Sequence, residues 1–147
     1  MSYATAEAGL LTIIRKLAAF TTTNSSQGDY RILAKGVAKA VVLTPGGFSR
    51  EVTAAPRRLR QAWIIDIEIF IPWTDQISTI SAAVKSVRQN IMDEVDKYPT
   101  LDSTSGVINA FISGGSQPEL WRGENRRWWV QTLRCDIEER STVTIAE

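Results

Sequence analysis

The chain has 147 residues, 44% hydrophobic and 22% charged, with a net charge of +1, which is the composition of one globular domain with room for a core and no global field to recruit nucleic acid or a membrane surface. It has no histidine and one cysteine, Cys135, which removes the commonest general base, any intrachain disulfide and any cysteine-cluster metal site. No apolar run approaches the ~20 residues of a membrane-spanning helix, and the N-terminus, Met-Ser-Tyr-Ala-Thr-Ala-Glu, lacks the basic and apolar regions of a signal peptide.

The first predicted element is a helix over 4–20. Leu10, Ile13, Ile14, Leu17 and Phe20 share one stripe, and Thr5 is a candidate cap. Residues 21–29 are rich in Thr, Asn, Ser and Gly and read as a loop. A short extended piece is expected at 30–34 and a strand at Val37–Leu43. Thr44-Pro-Gly-Gly47 reads as a turn. No Gly-Lys-Ser/Thr follows it, so it is not a phosphate loop. From Phe48 to Arg60 the chain reads as a long basic loop carrying Arg50, Arg57, Arg58 and Arg60 around Pro56.

The central strand is Gln61–Pro72. Trp63, Ile65, Ile67, Ile69 and Ile71 alternate onto one apolar face, while Asp66 and Glu68 point to the other. Pro72 should end it, because proline has no N–H to give a ladder. A helix follows from about Gln76, with Asp75 as candidate N-cap. Ile77, Ile80, Val84, Val87, Ile91, Val95 and Tyr98 are spaced by threes and fours along one stripe, and Pro99 stops it. One apolar strand face and one apolar helix stripe can bury each other, so this pair is taken as the centre of the domain.

Tyr98–Gly106 reads as a connector, Val107–Ile112 as a short strand, and Ser113–Asn125 as a second loop containing Trp121 and Arg122. Arg126 and Arg127 lead into a last long strand, Trp128–Glu139. Trp129, Leu133, Cys135 and Ile137 share one of its faces, and Thr132, Arg134, Asp136 and Glu138 the other. A terminal edge strand is expected at Val143–Ile145. The order helix, strands, helix, strands predicts a single α+β domain. Its sheet is mostly antiparallel (mixed), of about four to five strands, with two helices on one face and long basic loops.

No catalytic constellation emerges. Asp66 and Glu68 could in principle do acid–base work or hold a metal. Without a histidine or a glycine-rich loop nearby, a solvated face with cross-strand arginines is the stronger reading, and such a face could line the inside of a ring. Cys135, between Leu133 and Ile137 in facial register, reads as a buried inert thiol. The arginine and tryptophan side chains Arg50, Arg57, Arg58, Arg60, Trp73, Trp121, Arg122, Arg126 and Arg127 are candidate interface residues, because these types most often anchor contacts. They would also suit single-stranded nucleic acid, but the central strand lacks the aromatic pair of an RNA-recognition sheet. Asp66, Glu68, Arg134, Asp136 and Glu138 are candidate channel-lining residues.

The order of these pieces resembles a known family. Val41-Val-Leu-Thr-Pro-Gly-Gly47, an arginine-rich stretch, Trp63-Ile-Ile-Asp-Ile-Glu-Ile-Phe-Ile-Pro72, an amphipathic helix ending Lys97-Tyr-Pro-Thr-Leu101, then Gly106-Val-Ile and a long last strand look like the tail-terminator (tail-completion, minor tail) proteins of long-tailed bacteriophages. The resemblance covers Gly9 to Glu139. It implies a structural virion protein, assembled in the host cytoplasm, that forms a ring, typically a hexamer, at the head-proximal end of the tail tube. Such a ring ends tube polymerisation and offers a surface to the head-completion or neck protein. DNA passes through its lumen as cargo only. The resemblance implies no enzyme activity, no cofactor and no membrane partner. A nucleic-acid-binding module, or another neck or stopper protein of the same head–tail interface, is the alternative.

Overall fold

The computed structural model describes residues 3–22, 24–27, 39–53, 58–73, 76–104, 106–122 and 127–142, with backbone alone at 52, 53, 58, 59, 77 and 140–142. The expected piece at 30–34, the N-cap Asp75 and the strand at 143–145 lie outside these residues.

Two helices, α1 (Tyr3–Ile14) and α2 (Ile77–Lys97), cover one face of a six-stranded sheet. Its strands are β1 (Ser25–Gln27), β2 (Ala40–Thr53), β3 (Arg58–Pro72), β4 (Val107–Gly115), β5 (Glu119–Arg122) and β6 (Arg127–Thr142). The order is β1-β2-β3-β6-β4, and β5 also pairs with β6. Among the described strands only β1 is parallel to its neighbour. The α+β class is as the sequence predicts.

The centre is the expected one. Ile65, Ile67, Ile69 and Ile71 of β3 join Leu133, Cys135 and Ile137 of β6 in a single buried cluster. Ile80, Val84, Val87, Ile91 and Val95 of α2 close over it, with Leu10, Ile13 and Ile14 of α1. These are the period-two and period-3.6 stripes read from the sequence, removing each other from water. The β3–β6 register sets Ile65 opposite Cys135 and Ile67 opposite Leu133.

The structure corrects several element boundaries. α1 ends at Ile14, and turns follow with i→i+3 bonds, from the Lys16 N–H to Ile13, from Leu17 to Ile14 and from Phe20 to Leu17. This tighter winding brings Phe20 into the core. Thr5 lies inside the helix, not before it. α2 begins after Gln76, which occupies the N-cap position with extended backbone and no side-chain cap bond. The stretch read as a loop at 21–29 contains β1, parallel to β2. The Arg15 guanidinium fixes it through Nε to Ser25 Oγ at 2.9 Å and through Nη2 to the Ser25 carbonyl at 3.0 Å.

Thr44-Pro-Gly-Gly47 is not a turn but a bulge inside β2. The register slips between Pro45, opposite Ile65, and Gly47, opposite Ile64. Pro45 cannot donate to the ladder, and Gly47 takes φ of 123°, so the irregularity sits where both residues are tolerated. Beyond the bulge, most of the supposed basic loop is the two arms of a hairpin: β2 and β3 stay paired out to Thr53 opposite Arg58. Near-complete backbone pairing outweighs the side-chain polarity that suggests a loop. Arg57 lies outside the described residues.

The second supposed loop is also largely strand. β4 runs to Gly115, and β5 takes up pairing with β6 at Glu119 opposite Val130. Of the three residues between, Ser116 is tied to β6. The Ser116 N–H donates to the Thr132 carbonyl at 2.8 Å, the Thr132 N–H to Ser116 Oγ at 3.1 Å, and Gln131 Nε2 to the Ser116 carbonyl at 2.9 Å. β4 and β5 thus pair with β6 in succession, interrupted at 116–118.

Candidate interface surfaces

β3 and β6 divide the candidate interface residues between two ends of the domain. Arg50 is exposed on β2 opposite Gln61, and Arg60 sits near the start of β3. Arg58 opens β3, where only its backbone is described. At the other end, Trp73 follows the last residue of β3 and its N–H donates to the Arg127 carbonyl at 3.0 Å. Trp121 and Arg122 of β5 pair there with Trp128 and Arg127. Arg126 lies outside the described residues. At ~3.3 Å per strand residue, about 40 Å separates Arg60 from Trp73.

Three of these side chains have partners. Arg60 Nη2 lies 3.3 Å from Glu138 Oε1, both partly exposed. Trp73 packs on Trp129, with ring centroids 5.5 Å apart, and against the main core. Trp121 stands edge-on to Phe70 at 5.5 Å. It belongs to a second apolar cluster on the sheet face away from the helices, built from Ala40, Val42, Phe70, Trp128 and Val130. The sequence reading misses this cluster. Phe70 sits among acidic neighbours on β3, and only the β2 and β6 partners reveal that one half of that face is apolar.

The candidate channel residues occupy the other half. Asp66 pairs with Arg134, Ile64 with Asp136 and Ala62 with Glu138 across the β3–β6 register, so the predicted face is formed. Arg134 Nε bonds Asp136 Oδ1 along its own strand at 3.0 Å. Glu68 is set apart from the others. It lies between Val42 and Thr132 at the border of the apolar cluster, only 6% exposed. Asp66 is partly buried. Desolvation, then the Glu68 charge, push its carboxyl above the usual range, and Arg134 pulls it back.

Cys135 is fully buried, and burial followed by the Asp136 charge pushes its thiol far up. A thiol held neutral is a poor nucleophile. Among the described residues no group of three His, Cys, Asp or Glu side chains could hold a metal ion, and no helix is long and apolar enough to cross a membrane.

Three exposed apolar side chains were not singled out from sequence. Phe48 is 63% exposed on the hairpin, tilted against Trp63 at 6.1 Å. Ile108 is exposed on β4, and Leu120 is 41% exposed on β5 opposite Trp129. Leu120 carried no periodic signal, because Glu119-Leu-Trp-Arg122 sets two apolar residues side by side between charges.

No family model matches the chain, and no curated protein does. Among solved structures, a chain in the virion of a native gene transfer agent particle is similar over 93% of this chain and 99% of its own, at 14% identity and a TM-score of 0.45. A second solved chain is similar over 100% of this chain and 99% of its own, at 12% identity and a TM-score of 0.45.

Proposed function

We propose that this chain is a structural virion protein. In this reading, copies assemble as a ring, typically of six, at the head-proximal end of a phage tail tube. The ring ends tube growth and presents a surface to the neck, while DNA passes through the lumen. The observation that supports this best is the separation of contact chemistry to opposite ends of β3: Arg50 and Arg60 at one, Trp73, Arg122 and Arg127 at the other. A ring needs two different patches on each subunit, meeting heterologously, and a joint between tube and neck needs contact surfaces at two ends. The face bearing Asp66, Arg134, Asp136 and Glu138 mixes acids with a guanidinium already paired to Asp136. DNA can slide past such a face without being held.

The nucleic-acid alternative is weaker. Arg60 and Arg134 are matched by Glu138 and Asp136, and the Trp121 ring packs on Phe70 instead of standing free for a base.

The test is solution mass, together with tail assembly in a complementation assay, for the wild type and for Arg50→Ser with Arg60→Ser. A ring-sized oligomer or tail-end ring for the wild type, and failed assembly by a folded variant, are expected. A strict monomer whose double variant complements fully would overturn the reading. Tight DNA binding that weakens steeply with salt would favour the alternative.

A further inference from the structure

A cleft of about 360 Å³ lies between the first half of α2 and the ends of the sheet strands. Its floor is Ile80 and Val84 of α2, and its wall is the Trp73–Trp129 indole pair. Lys85 and Arg88 stand on the helix side of the rim, and among the described residues no carboxylate lines it. Pro118 closes the sheet side, and the exposed Leu120, opposite Trp129 in register, prolongs the apolar strip beyond the cleft.

We propose that this cleft is a docking groove for a segment of a partner protein that carries one or two bulky apolar side chains flanked by carboxylates. The chemistry of both halves leads there. Half-exposed indoles beside buried aliphatic side chains form the kind of pocket in which an apolar anchor loses its water, and tryptophan is the residue type most often found at such energetic centres. The two cations on one rim, Lys85 and Arg88, select a negatively charged flank and disfavour a basic one. A small anion would need only the cleft. Exposed Leu120, outside the cleft and opposite Trp129 in register, adds a second apolar contact beyond it, which favours a chain as occupant. The cleft is preformed, because the Trp73 backbone is fixed to Arg127 and its ring to Trp129, so ordering it costs little on binding. This inference is independent of the ring reading: the groove would serve any protein partner of this chemistry.

The test uses the full chain and tryptophan fluorescence with two synthetic probes, Asp-Glu-Leu-Phe-Asp-Leu-Glu and the same peptide with lysine at each acidic position. Saturable binding of the acidic probe is expected, with roughly tenfold or greater weakening for Lys85→Glu with Arg88→Glu. That variant changes surface charge only, so it should fold, and it should reverse the preference toward the basic probe. Ser81→Phe, which places a ring in the groove from an exposed helix position, should block both probes. Equal binding of both probes by the wild type, or none of the acidic probe at millimolar concentration, would overturn the proposal. So would binding of the anionic dye anilinonaphthalene sulfonate without binding of the acidic peptide, which would make the cleft a small-anion site.

Discussion

The Trp121 ring stands edge-on to Phe70, centroids 5.5 Å apart and planes at 73°. The contact joins β5 to β3 across β6 on the face that no helix covers among the described residues. A residue whose type suggests an interface is therefore partly structural. Phe70 is fully buried, so Phe70→Ala should cost about 3–5 kcal/mol. Trp121 is half-exposed and should cost less as alanine, about 1–2 kcal/mol, from lost burial and the aromatic pair. Urea denaturation of both variants checks the order. If Trp121→Ala left stability unchanged, the second cluster would not be a real core.

Asp66 gives a pH signature. Its folded pKa is raised above the ordinary aspartate value of 3.8, first by desolvation and then by Glu68. The folded state therefore holds this proton more tightly than the unfolded one. That stabilising effect is complete below 3.8 and is lost as pH rises through the raised value. At pH 7 the ionised side chain is a penalty, so Asp66→Asn should melt at or above the wild-type temperature. The difference should shrink as pH falls to about 4 and below. Thermal melts between pH 3 and 8 read this directly; a variant less stable at pH 7 than at pH 3, relative to wild type, would mean that the pairing with Arg134 outweighs burial.

Gly47 holds φ of 123° at the bulge in β2. Gly47→Val forces a β-branched side chain into backbone that only glycine adopts freely, at about 1–3 kcal/mol. Gly46 is confined differently: a Cβ there would lie 2.8 Å from Ile64 Cγ2 and 3.0 Å from Asp66 Oδ1. Gly47→Val and Gly46→Ala should both be destabilised. The Gly47 change should also alter hydrogen exchange along the distal hairpin, 48–53, more than in the core.

The central pairing gives the harshest prediction. Ile67 and Val87 are buried in the main cluster from its two sides. An aspartate at either position would leave an unpaired buried charge, costing several kcal/mol, close to the whole stability of a domain this size. Ile67→Asp and Val87→Asp should each abolish cooperative melting and native near-ultraviolet signals.

The sequence by itself determined the parts whose signal is local and periodic. The β3 alternation from Trp63 to Ile71, the α2 stripe from Ile80 to Val95 and the two faces of β6 are set by what must leave water, and Pro72 and Pro99 mark two of their ends through missing donors and steric clash. Only the tertiary structure decided the rest, because backbone pairing depends on a partner that the local sequence does not reveal. Within the arginine-rich stretch, 48–53 and 58–60 became hairpin arms because each strand supplied the other's ladder. Gly-rich 113–122 became strand because β6 was long enough to pair with β4 and β5 in succession. Glu68 looked like a surface acid and is buried because its neighbours across the sheet are Val42 and Thr132. The groove at Trp73 and Trp129 was equally out of reach. It draws on α2, β6 and the end of β3 together, and a cleft between three elements exists only once their packing has placed them.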